Sequence, residues 1–251
     1  MRTIQNIAYG QSHPDKQRLD LYLPDCDVFP AMLYFHGGGL AHGDKAKASL
    51  LPFYQYLADN GIAVVSANYR MYPDAKYPDF LEDAAEATAW VFRNLGKYGK
   101  IQGVYVGGSS AGGYISQMLC FDKRWLGKYG LSAMDISGFI HDAGQPTCHF
   151  NVLRERGLDT KRVIADESAP LYHLGEDERY PKMLIIVSDD DMKNRYEQTK
   201  LLVSTLAHFG HSDSVRLIEA QGKHCAYVGQ CIDGISIFGR WILEFINEDC
   251  G

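Results

Sequence analysis

The sequence predicts an α/β fold, a mostly parallel central sheet with helices on both faces. Three observations carry that reading. Short apolar runs rich in Val, Ile, Leu and Tyr recur along the chain, nearly free of polar residues, as strands covered on both faces should be. Longer stretches with helical apolar spacing lie between them. No repeat and no low-complexity linker interrupts the alternation, so residues 1–251 read as one domain.

Residues 4–9 and 19–23 are expected to add an antiparallel start. The apolar runs at 31–37, 61–69, 103–108, 135–140, 182–188 and 214–220 are read as buried strands. Residues 77–99 form the clearest helical stretch. Phe80, Ala84, Ala87 and Val91 fall on one face, acids come early, and Arg93 and Lys97 come late, in the order that suits the helix dipole. Residues 194–210 end in glycine, a usual helix stop. Residues 235–246 are a further apolar-faced helix. The stretch from 142 to 178 is too long for a plain connection. It is read as a small cap-like insertion over the C-terminal edge of the sheet, where such folds place their sites.

Composition narrows the function classes. The formal net charge is −6 and no Lys/Arg-rich run occurs, which argues against nucleic acid as a partner. No run of about eighteen apolar residues is present, so no membrane partner is expected. The N-terminus has no apolar run resembling a signal peptide, and a cytoplasmic location is expected. Cys26, Cys120, Cys148, Cys225, Cys231 and Cys250 include no C-x-x-C pair. They read as reduced thiols without a structural metal. No cofactor is implied, and a homo-oligomer is left open.

The chemistry gathers around "GGSSAGG". Gly108-Ser109-Ser110-Ala111-Gly112 matches G-x-S-x-G, after a predicted strand and before a predicted helix. That is the setting of a nucleophile elbow, a sharp strained turn that lifts a serine hydroxyl above the sheet. Ser110 fits both glycine offsets, whereas Ser109 fits only a shifted frame ending in alanine. By chance alone the motif occurs in roughly one chain in ten of this length. A second glycine signal, His36-Gly37-Gly38-Gly39, ends the 31–37 run and could aim backbone N–H groups at a developing oxyanion. A serine needs a base. His224 follows the last strand, and Asp189, Asp190 and Asp191 follow the strand before it, in the chain order serine, acid, base. Asp191 is favoured as the acid, with Asp189 next. His36 belongs to the glycine turn, and His141, His149 and His173 are expected to shape a pocket. Ser110, Asp191 and His224 are therefore the expected catalytic residues, with the amides of Gly37, Gly38 and Ala111 as the oxyanion hole.

Together "HGGG", "YRMYPDAKYPDFLEDAAEATAW" and "GSSAGG" resemble the hormone-sensitive-lipase-like branch of the α/β-hydrolase esterases, over about residues 18–246. Tyr69, Arg70, Pro73, Pro78 and Asp83 match that branch's middle motif, with Asp74 in place of its Glu. Ser109 stands where the branch usually has Asp, and Ser188 where a glycine commonly precedes the acid by three residues. The resemblance implies the α/β-hydrolase fold and a carboxylic ester hydrolase working through an acyl-enzyme. More loosely, it implies small bacterial esterases that remove acetyl or feruloyl groups from plant carbohydrates, so the expected partner is a small-molecule or oligosaccharide ester. Only 35 residues precede the HGGG turn. The branch's long N-terminal cap helices are thus expected to be absent and the site open to bulky or polar acyl donors. Two alternatives stand beside this reading. One is a serine peptidase or other acyl hydrolase on the same fold. The other is a non-catalytic ligand-binding protein like the plant hormone receptor of this branch, which has lost the catalytic histidine.

Overall fold

The computed structural model describes residues 1–175 and 177–248. Eight strands form one sheet: β1 (Arg2–Ala8), β2 (Arg18–Leu23), β3 (Val28–Phe35), β4 (Ala63–Ala67), β5 (Lys100–Ser109), β6 (Gly138–Asp142), β7 (Lys182–Asp190) and β8 (Val215–Lys223). Their spatial order is β1-β2-β4-β3-β5-β6-β7-β8. β2 pairs antiparallel with both β1 and β4; every pairing from β4 through β8 is parallel. A two-stranded antiparallel ribbon, β9 (Cys231–Ile232) and β10 (Ile235–Ser236), precedes the last helix.

Strand alternation divides the core into two layers. On β3, Ala31, Leu33 and Phe35 join one apolar cluster, while Met32 and Tyr34 join the other. On β7, Met183 and Ile185 go one way and Leu184 and Ile186 the other. One layer is covered by α2 (Asp79–Asn94), α3 (Ala111–Phe121), α4 (Lys123–Gly127) and α6 (Arg195–His208). The opposite layer lies under α1 (Leu51–Asp59) and α7 (Ile237–Asn247). Phe238, Ile242, Phe245 and Ile246 form the buried stripe of α7. The expected helices at 77–99, 194–210 and 235–246 correspond to α2, α6 and α7; α2 and α6 are shorter at both ends, and α7 starts two residues later and ends one later. Sequence reading passed over α1, whose buried Phe53, Tyr54, Leu57 and Ala58 have helical spacing after Pro52.

The connection between β6 and β7 runs from Ala143 to Pro181; among its described residues it holds one short α-helix, α5 (Phe150–Glu155), and a 3-10 turn at Pro170–His173. Asp142 itself is the last residue of β6. Cys148, Leu153 and Ala169 make a small apolar cluster within the connection. Polar anchors tie it to the body: Tyr114 Oη donates to the Ser168 carbonyl at 2.8 Å and Tyr77 Oη to the Glu167 carbonyl at 3.2 Å. Among the described residues, no helix is long and apolar enough to cross a membrane. Cys26, Cys120, Cys148, Cys225 and Cys231 are free thiols, and Cys250 lies outside the described residues.

Candidate active site

The parallel strands end along one edge, and the glycine turn after β3 lies next to the turn after β5. β5 stops at Ser109 and α3 starts at Ala111, so Ser110 makes the whole connection, at φ 56° and ψ −110°. A non-glycine residue in that region is strained by about 1–3 kcal/mol. The Ser110 amide donates to the Asp142 carbonyl at 2.8 Å, and its carbonyl accepts from the Tyr114 amide at 2.9 Å.

The flanking glycines are needed for space. A Cβ on Gly112 would fall 1.9 Å from the Phe35 carbonyl oxygen, and one on Gly108 would fall 2.5 Å from the same atom. α3 therefore begins against the backbone of β3. In an ordinary helix interior, Gly→Ala stabilises by about 1 kcal/mol. Here the sign reverses: Gly112→Ala is expected to destabilise by about 3 kcal/mol, read as a lowered midpoint in urea unfolding.

His224 reaches Ser110 from the far end of β8. Its Nε2 lies 2.8 Å from Ser110 Oγ, and its Nδ1 lies 2.6 Å from Asp191 Oδ1. The Asp191 carboxylate also accepts from the Met192 amide at 2.6 Å and the Ser188 amide at 3.3 Å. Burial works to raise the Asp191 carboxyl. The hydrogen bond and charge of His224, with the two amides, overcome burial and hold it below its ordinary value. The other two aspartates turn away. Asp189 accepts from the Gly222 amide at 2.8 Å, while Asp190 pairs with Lys223 at 3.5 Å on the surface.

Gly37 lies against the nucleophile turn: a Cβ there would be 3.3 Å from Ser110 Cβ. Gly38 adopts φ +123°, and a Cβ on it would fall 1.7 Å from the His42 carbonyl oxygen, so only glycine fits. Among the described residues, the Gly37 and Gly38 amides donate to no protein acceptor. Ala111, first in its helix, has no preceding turn to receive its amide. Tyr69 fixes this loop from below. Its ring stacks on His36 at 4.6 Å, and its Oη donates to the His36 carbonyl at 2.7 Å. Arg70 holds the buried Asp83 through Nε at 2.9 Å and through its own amide at 2.8 Å. The Y-R…D motif thus buttresses the glycine turn.

Among the described residues, no other histidine hydrogen-bonds Ser110, although His36 and His42 line the cleft. His36 is buried with Nδ1 2.8 Å from the Gly37 carbonyl, and burial lowers its pKa. His141 is fully buried beside Ser116 Oγ, where burial lowers it to about 3. His149 accepts from the Asn151 amide and stacks on Phe150. His173 is buried with Nε2 3.0 Å from the Glu167 carbonyl. The expectation that His141, His149 and His173 shape the pocket is therefore corrected, since none lines the cleft and all three pack into the body. Ser109 is likewise occupied, accepting from Tyr34 Oη at 2.8 Å.

The cleft over Ser110 has a volume of about 820 Å³ and is walled by the glycine turn, Leu50, Phe150, Met192 and Val228. Asn151, on α5, donates to the Gly39 carbonyl and brings the β6–β7 connection to the rim. Apart from the glycine turn, these walls come from separated segments that no motif marked.

Sequence reading also missed Asp142 and Tyr227, which lie behind the histidine. Tyr227 Oη donates to Asp142 Oδ1. Burial pushes the Asp142 carboxyl up to about 6, against the lowering by the Ser109 and Tyr227 hydroxyls and His224. An unfolded aspartate releases its proton near 3.9, roughly. Between these values the folded state binds this proton more tightly than the unfolded, so the contribution of Asp142 to stability is expected to fall as pH rises from about 4 to about 6, by about 2–3 kcal/mol. Asp142→Asn is expected to flatten that part of the stability–pH curve, and unfolding midpoints at pH 4, 5, 6 and 7 check it.

Comparison with known proteins bears on the same edge. A family model described as BD-FAE matches residues 19–130. A probable isoprenylcysteine alpha-carbonyl methylesterase of Arabidopsis thaliana is 34% identical over 47% of this chain and 28% of its own length. A second from the same plant is 33% identical over 86% of this chain and 50% of its length. An Arabidopsis gibberellin receptor is 31% identical over 71% of this chain and 53% of its length. The chain thus spans from about a quarter to about half of these relatives. Among solved structures, esterase B of Lactobacillus rhamnosis superposes with a TM-score of 0.78 at 17% identity, covering 99% of this chain and 88% of that one. A truncated carbohydrate esterase from gut microbiota gives 0.75 at 20% identity, covering 99% and 96%. The chain has the α/β-hydrolase fold. In the α/β-hydrolase sheet found here, β5 delivers Ser110, β7 Asp191 and β8 His224, each at a strand's C-terminal end.

Proposed function

We propose that this α/β-hydrolase is a carboxylic ester hydrolase that works by nucleophilic catalysis through an acyl-enzyme. The observation that carries the reading is the continuous contact from Ser110 Oγ to His224 Nε2, and from His224 Nδ1 to Asp191, at 2.8 and 2.6 Å. The methylesterase and esterase names of its relatives support it.

In this reading Ser110 Oγ attacks the ester carbonyl carbon while His224 Nε2 takes the hydroxyl proton. Asp191 holds the imidazole with Nδ1–H toward itself and stabilises the charge that forms. The amides of Gly37, Gly38 and Ala111 receive the oxyanion, each such donor being worth about 3 kcal/mol of barrier. The carbonyl–alkoxy bond breaks as His224 returns the proton to the leaving oxygen. Water then adds to the acyl-enzyme with His224 as base, the acid departs and Ser110 regains its proton. Likeness to a carbohydrate esterase supports carbohydrate esters as a substrate class, and the acyl groups proposed are acetyl or feruloyl.

The receptor relative favours a second reading, a ligand-binding protein without turnover. The contact between His224 and Ser110 speaks for catalysis instead. The test is hydrolysis of p-nitrophenyl acetate, butyrate and octanoate, with acetylated and feruloylated oligosaccharides beside them. A p-nitrophenyl phosphonate should transfer its phosphonyl group to Ser110 with release of p-nitrophenol, adding the phosphonyl mass to the Ser110 peptide as turnover stops. Stabilisation by ligand with neither labelling nor turnover would select the receptor reading.

A further inference from the structure

A second cavity of about 490 Å³ adjoins the cleft, sharing the walls Phe150 and Met192 with it. Acids outnumber bases in the chain, 31 to 25. Yet no Asp or Glu lines either cavity, while Lys47 and Arg154 line the cleft and Lys161, Arg162, Lys193 and Arg195 line its neighbour. Among the described residues, none of these six lies within 4.0 Å of a carboxylate. Cations close to them in sequence do pair: Lys45 with Asp20 at 2.9 Å, and Arg156 with Asp166 at 2.7 Å. The absence of counter-charge therefore belongs to the cavities.

Two of the six are held by hydrogen bonds to the protein, Arg195 buried and Arg154 exposed at the cleft. Arg195 is only 5% exposed, and its guanidinium donates to neutral oxygens, the Ala143 carbonyl and, at 3.2 Å, Gln145 Oε1. Arg195 meets no carboxylate at contact distance and feels only the more distant charge of Asp191, so an anion delivered by a ligand would offset part of the cost of burying it. Arg154 donates through Nη1 to Asn151 Oδ1, and Asn151 in turn donates to the Gly39 carbonyl. One guanidinium is thereby fixed beside the glycine turn that faces Ser110. Its planar fork matches a carboxylate.

We propose that the ester taken by this cleft carries a carboxylate several bonds from its reacting carbonyl. Arg154 and the cations of the adjoining cavity hold that carboxylate. The inference rests on the ester-hydrolase reading and adds the substrate's charge to it.

Two matched pairs of substrates test it: the 4-nitrophenyl half-ester of adipic acid against 4-nitrophenyl hexanoate, and acetylated galacturonate against acetylated galactose. The first pair places the charge on the acyl side, the second on the alcohol side. In at least one pair the anionic ester should have the larger kcat/KM, by about tenfold or more at low salt. The ratio should shrink as NaCl is raised toward about 0.5 M. It should fall by about tenfold to a hundredfold in Arg154→Gln, and further in the exposed double variant Lys161→Glu with Arg162→Glu. A ratio cancels any general damage, because both esters of a pair meet the same variant.

Turnover of the neutral esters with a ratio at or below one in both pairs would overturn this inference and leave the hydrolase reading standing. A preference untouched by salt and by every variant would also overturn it. No Ser110-dependent turnover of any of the four esters would overturn the hydrolase reading, and the inference with it.

Discussion

Ser110→Ala is expected to lower kcat for carboxylic esters by about 10⁵-fold or more, with the fold and thermal midpoint close to the wild type. The expected loss is large because, in the proposed mechanism, the hydroxyl is the group that bonds to substrate and no other nucleophile takes its place. Ser109, the adjacent hydroxyl, is buried and accepts from Tyr34 Oη. Stability should shift by less than about 1 kcal/mol. Alanine keeps the same backbone turn, and Ser110 Oγ has His224 as its hydrogen-bond partner. Ser109→Ala should show the opposite pattern. It leaves the reacting atoms in place but strips Tyr34 Oη of its acceptor inside the core, costing about 1–3 kcal/mol. Steady-state hydrolysis of p-nitrophenyl butyrate and urea unfolding of both variants separate the two serines. Full activity in Ser110→Ala would refute the assignment of the nucleophile.

How much of this was legible in the sequence follows from how local each feature is. The elbow was legible because its requirement falls on adjacent residues: Gly108 and Gly112 must lack side chains where the chain passes the Phe35 carbonyl. The strands were legible because burial on both faces leaves runs such as 182–188 almost wholly apolar. The order of those strands fixed where the serine, acid and base positions would fall along one edge. Features assembled from distant segments left no such trace. Asp142 and Tyr227 meet across 85 positions, and Asn151 reaches Gly39 across 112. Nothing near any of them in sequence announces the partner. The cations lining the two cavities come from three stretches, around 47, 154–162 and 193–195, and each alone reads as an ordinary solvated charge. α1 escaped for a different reason: its apolar residues lie within one short stretch between two stronger strands, where helical and strand spacing are hard to tell apart.

The three consecutive aspartates at the C-terminal end of β7, Asp189 to Asp191, give the second large expected effect. Asp191→Ala should lower kcat by about 10⁴-fold, while Asp190→Ala should stay within about threefold of wild type. The asymmetry comes from where each carboxylate goes. Asp191 meets His224 Nδ1 at 2.6 Å and is held by two backbone amides, so its loss frees the ring to rotate and removes the charge that stabilises the imidazolium. Asp190 is exposed and pairs with Lys223 at the surface, a contact worth little. The same geometry gives a signature in stability. The Asp191 carboxyl is held below its ordinary value in the folded state. It therefore contributes stability above the unfolded aspartate value of about 3.9, and that contribution is lost as pH falls through the lower folded value. The stability gap between wild type and Asp191→Ala should be widest at neutral pH and narrow below about pH 4. Asp190→Ala should track wild type across the range. A loss of activity in Asp190→Ala equal to that in Asp191→Ala would move the acid's role to the neighbouring residue, and a stability gap that ignores pH would remove the ionic account of how Asp191 holds His224.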